Sequence, residues 1–95
     1  MPTRDELVDW ITDRYGEPEG EDGILLADGF ESAFVGVGQC FSKQPQAIYD
    51  RDKCIRALVD GGASIEDAIE HFEYNVQGAW VGPSTPVFVT LYEAD

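Results

Sequence analysis

Apolar positions near the start of the chain repeat with a helical period. Leu7, Trp10, Ile11 and Tyr15 fall at i, i+3, i+4 and i+8, the spacing that lines one face of an amphipathic helix. Thr3 stands at the N-cap position with Glu6 three residues on, as a capping box requires. Gly16 and Pro18 predict the stop, because glycine accepts a positive φ and proline cannot resume the helix. Asp5, Asp9 and Asp13, at i, i+4 and i+8, line another face of the same helix.

Residues 17–23 carry four acids, Glu17, Glu19, Glu21 and Asp22, with two glycines and a proline, and read as a loop. The apolar run at 24–27 reads as a buried strand, followed by the hairpin-type pair Asp28 and Gly29 and a second strand over 30–37. Gly36 and Gly38 predict a bulge or a close backbone approach there. A short third strand is expected at 47–49.

Asp50 then reads as the N-cap of a second helix, Arg51–Asp60, with Cys54, Ile55, Leu58 and Val59 as its buried stripe and two glycines after it. Ser64 opens a third helix, in which Ile65, Ala68, Ile69, Phe72 and Val76 repeat at helical spacing and Gly78 marks the end. Residues 87–92, rich in β-branched and aromatic side chains, read as the last strand. The order α-β-β-(β)-α-α-β predicts an α+β fold with a small antiparallel sheet of three to four strands and three helices.

A length of 95 residues predicts a single domain over 1–95. A net charge of −13 opposes direct binding to nucleic acid or to an anionic membrane. The charge is uneven: residues 1–35 hold ten acids and two bases, net −8; 36–60 hold three and four, net +1; 61–95 hold six and none, net −6. No apolar run approaches the roughly 18–20 residues of a membrane span. The polar opening lacks the apolar core of a signal peptide, so a cytoplasmic location with Cys40 and Cys54 reduced is expected.

Few groups suggest chemistry. His71 could pair with either cysteine as nucleophile and base, but no catalytic signature surrounds them, and an ion pair with Asp67 four residues earlier explains the histidine better. Asp50 and Asp52 have the opening spacing of a calcium loop, but Ile55 and Gly61 stand where its glycine and glutamate belong. Gly36 and Gly38 lack the third glycine of a dinucleotide fingerprint. No catalytic residue, metal or cofactor is therefore expected. Arg51, Lys53 and Arg56, with Gly36, Gly38, Asn75, Trp80 and Thr85, form a possible small-ligand set. The plainer reading makes the basic residues partners of Asp52 and Asp60, and the stretch around Trp80 a helix-to-strand corner.

Asp28 to Glu31, Gly36 to Gly38, Ile48 to Asp50 and above all the motif EYNVxGAWVGxxTPxF over residues 73–88 resemble a family of small proteins encoded mainly by bacteriophages and prophages. The resemblance covers about residues 23–90. It implies no enzyme activity, cofactor or catalytic residue. It implies an accessory protein at work in the cytoplasm of an infected bacterium.

The leading expectation is a non-enzymatic inhibitor of a host defence or nucleic-acid-binding protein, with carboxylates standing in for phosphates. Its contacts would be Asp5, Asp9, Asp13 and the acidic loop, with a second row at Glu66, Glu70 and Glu73. The alternatives are a protein that sequesters a nucleotide signal through the ligand set above, and a salt-adapted accessory protein with no charged partner. A homodimer through an exposed Trp80 and Phe88 patch is a further possibility.

Overall fold

A computed structural model of the chain describes residues 3–16, 23–27, 29–41, 43–77 and 84–92. Helix α1 spans Arg4–Tyr15, and the Thr3 hydroxyl accepts from the Glu6 backbone N–H at 3.2 Å. A 3-10 turn, Glu31–Ala33, leads into strand β1, Phe34–Gly38; strand β2 is Gln46–Asp50. Helix α2, Arg51–Asp60, and helix α3, Ile65–His71, follow, and α3 widens into a π-helical segment, Phe72–Gln77. Strand β3 is Val87–Val89.

The α+β class and the order of helices and strands agree with the sequence pattern, but the sheet is mixed. Its order is β1-β2-β3; β1 and β2 are antiparallel, whereas β2 and β3 are parallel. The expected all-antiparallel sheet fails because two helices lie between β2 and β3, and such a crossover returns the chain in the direction it left.

Three strand boundaries also differ. Residues 24–27 are irregular: Ile24 is buried, but the Ala27 N–H donates to the Tyr49 hydroxyl and not to a neighbouring strand. An apolar run reports burial, which a covered loop satisfies as well as a strand does. The first half of the expected strand over 30–37 is the 3-10 turn, closed by the Ala33 N–H donating to the Phe30 carbonyl at 2.9 Å. The last strand stops at Val89 and not at residue 92. Val89 pairs with Asp50, and there β2 gives way to α2, so no strand backbone remains to pair with.

Six aromatic rings run in contact through the molecule. Trp10 meets Phe34 at 5.9 Å between centroids, Phe34 meets Tyr49 at 5.6 Å, and Tyr49 stacks on Phe88 at 5.7 Å. Phe88 then meets Phe72 at 5.0 Å, and Phe72 meets Phe30 at 6.4 Å. Each such pair adds about 0.5–1.5 kcal/mol beyond the area it buries. This spine joins α1, all three strands and the end of α3. On α1 only Leu7 and Ile11 of the expected stripe are buried; Trp10 and Tyr15 remain exposed at its margin, and on α3 Ile65 is exposed.

Of the two roles expected for the glycines of β1, the bulge is present: the register shifts between Phe34 and Gly36. At Gly38 a Cβ would lie 2.6 Å from Ile48 Cδ1, so the end of the Ile48 side chain, and not the partner backbone, occupies the space a larger residue would need.

Candidate functional site

The first candidate surface is the acidic face of α1. Asp5, Asp9 and Asp13 are all exposed, and successive members rise about 6 Å along the axis. Arg14 could have neutralised part of this row. Instead its Nη1 donates to the Trp10 carbonyl at 3.0 Å, and its guanidinium lies over the Trp10 ring at 4.3 Å. Among the described residues no ion pair reaches the three aspartates. Glu17, Glu19, Glu21 and Asp22, expected to extend the row, lie outside the described residues.

The second acidic row is weaker. Glu66 and Glu70 are exposed on α3, and Glu73 is exposed on the π-helical segment. Arg51 Nη2 donates to Glu73 Oε1 at 3.3 Å, which takes one charge from the row.

The expected small-ligand set is dispersed. Arg51 turns towards Glu73 and the Phe72 ring, away from Lys53, as residues two apart on a helix do. Gly36 lies at the bulge of β1, and Gly38 faces the end of the Ile48 side chain. Asn75 Nδ2 stands 3.4 Å from His71 Nδ1, and the Thr85 carbonyl accepts from Gln46 Nε2 at 2.8 Å. Trp80 and the expected helix end at Gly78 lie outside the described residues, and Phe88, the other half of the expected exposed dimer patch, is half-buried between Tyr49 and Phe72.

Among the described residues of the set, Lys53 and Arg56 line one concave site. A cleft of about 850 Å³ runs along α2, with Lys53, Arg56, Ala57 and Asp60 at i, i+3, i+4 and i+7 as one wall. Gly29 and Ser32 approach from the segment before β1, and Leu91 and Tyr92 from the end of the chain. Asp50 and Asp52 stand at the N-terminal end of α2. Sequence spacing marks the helical wall. The opposing residues are far away in the chain, and only the tertiary fold brings them there.

Cys54 is fully buried, and burial, then the nearby Asp50 charge, pushes its thiol up to about 12, away from thiolate. His71 is exposed, and its partner is Asn75 and not the expected Asp67. Among the described residues, no three His, Cys, Asp or Glu side chains converge as metal ligands. No helix among them is long and apolar enough to cross a membrane.

Comparison with protein-family models, with curated proteins and with solved structures returns no match for this chain.

Proposed function

We propose that this chain works by binding and not by catalysis, presenting carboxylates to the basic groove of a nucleic-acid-binding protein and so excluding that protein's own ligand. The resemblance to a phage-encoded family supports a target among the proteins of the bacterial host, one used in defence or in handling nucleic acid, with the host cytoplasm as the place of action. The observation that carries the proposal is the Asp5, Asp9 and Asp13 row: exposed, regularly spaced and without an ion pair among the described residues, while Arg14 is held on Trp10. A chain of net charge −13 steers a cationic surface towards itself, and salt screens that attraction over about 10 Å at 0.1 M.

The test is capture from a bacterial lysate on the immobilised chain at low salt. The expected captive is a nucleic-acid-binding protein, released both by salt and by duplex DNA. Asp5→Asn, Asp9→Asn and Asp13→Asn, made together, should abolish capture. Undiminished capture by the triple variant would overturn the proposal, as would a captive that DNA does not displace.

A further inference from the structure

We propose a second, independent site: the cleft along α2 binds a nucleoside monophosphate, with Lys53 and Arg56 on the phosphate and Tyr92 against the base.

The cations are the first ground. The chain has six basic residues against nineteen acids, so a partner is close at hand for most of them. Arg51 pairs with Glu73 and approaches Asp52, and Arg14 is held on Trp10. The Lys53 ammonium and the Arg56 guanidinium make no hydrogen bond or ion pair among the described residues, although three aspartates line the same cleft. They are three residues apart on one helix face, so the two heads can meet one small anion. Phosphate suits the pair: the guanidinium fork engages two of its oxygens, and the ammonium meets a third as a point charge.

The three carboxylates are the apparent objection, and each has a place. Asp50 Oδ1 accepts from the backbone N–H groups of Asp52 and Lys53, at 3.0 and 3.3 Å, and so caps α2. Asp52 Oδ1 lies 4.0 Å from Arg51 Nη1. That leaves Asp60, seven residues beyond Lys53 and about 10 Å along the axis, at the far end of the same wall. A carboxylate there accepts hydrogen bonds, and the hydroxyls of a sugar supply donors at such a distance from a phosphate.

The aromatic ring is the second ground. Tyr92 is 91% exposed beside this cleft, with the half-exposed Leu91 next to it. An open ring is a platform for a base, and stacking tolerates any base because each has a π-face. The cleft's volume of about 850 Å³ lies within the range of small-molecule sites, roughly 300–1,000 Å³. A free phosphate would have only the two cations to set against the charge of the whole chain. A free nucleoside would have only the ring and Asp60. The monophosphate uses both halves.

The experiment is a titration of the ¹⁵N-labelled full chain, followed by amide shifts, with AMP and in parallel UMP, and with adenosine and inorganic phosphate as separate arms. The expected result is saturable shifts at Gly29, Ser32, Lys53, Arg56 and Tyr92, with dissociation constants of about 1 mM or tighter for the monophosphates. Adenosine and phosphate alone should each bind at least about tenfold more weakly. Lys53→Gln with Arg56→Gln should weaken AMP about tenfold or more and leave adenosine unchanged, whereas Tyr92→Ala should weaken AMP and adenosine but not phosphate. These side chains project from the surface, and an unchanged thermal unfolding curve would show that each variant keeps the fold. Absence of a saturable shift with both monophosphates overturns the proposal, and so does a Lys53→Gln, Arg56→Gln chain that binds AMP as the parent does.

Discussion

The Tyr49 hydroxyl accepts a hydrogen bond from the Ala27 backbone N–H at 2.8 Å, across 22 residues of chain. Tyr49 is buried at the middle of the sheet, with Phe34 on one side and Phe88 on the other. The Tyr49 hydroxyl therefore ties the backbone of the irregular segment 24–27 to the core in place of a strand ladder, beside the buried Ile24 and the packed Leu26 and Ala27.

Replacing Tyr49 with Phe keeps the rings packed but removes the acceptor. Ala27 N–H is then left without its partner, at a cost of about 1–2 kcal/mol. Denaturant unfolding should show that loss, with faster hydrogen exchange at Ala27. An unchanged midpoint would mean that the segment is held by Ile24 burial alone.

Alkali should unfold this protein by way of its core. Burial raises the Tyr49 phenol from 10.0 and the Cys54 thiol from 9.0, each to about 12. The unfolded chain releases both protons at the ordinary values, while the folded chain retains them longer. The stabilisation is thus complete below pH 9 and is lost as pH rises through about 12. Unfolding free energies measured from pH 8 upwards should decline over that window. At neutral pH a thiol reagent should modify exposed Cys40 in the native protein and reach Cys54 only after denaturation.

The two glycines of β1 should respond differently to alanine. A Cβ at Gly36 meets nothing within 4 Å, so Gly36→Ala should change stability by less than about 0.5 kcal/mol. At Gly38 the added carbon strikes Ile48 Cδ1, the far end of a flexible side chain, and turning Ile48 off its rotamer should cost about 0.5–1.5 kcal/mol. Ile48→Val removes that terminal methyl and should recover much of the loss. Equal thermal shifts for the two alanine variants would show that Ile48 moves aside freely.

Short-range interactions were legible in the amino-acid order. Helix α2 begins at its cap Asp50 and ends before Gly61, where the pattern puts both boundaries, because a cap and a terminating glycine act within a few residues of chain. The acidic row on α1 was legible for the same reason: helical spacing alone puts Asp5, Asp9 and Asp13 on one face. The pairing of Lys53 with Arg56 on one ridge belongs with them.

Which face would meet what was not legible. Arg14, next to Asp13 in the chain, is held by Trp10, whose ring packs on Phe34, and among the described residues the three aspartates have no ion pair. Residues 24–27 looked like a strand because burial leaves the same apolar signature whether the backbone pairs with a ladder or with Tyr49. Arg51 was grouped with Lys53 and Arg56, but Glu73, 22 residues on, draws it away.

The sequence by itself determined the three helices, their N-caps at Thr3, Asp50 and Ser64, the order of elements and the excess of negative charge, since each depends on neighbours in the chain or on composition. Only the tertiary structure decided the direction of β3, the end of that strand at Val89 and the opposition of Tyr92 to Lys53 and Arg56. Those outcomes depend on where a crossover lands and which distant backbone is left to pair with, and local propensity carries no record of either.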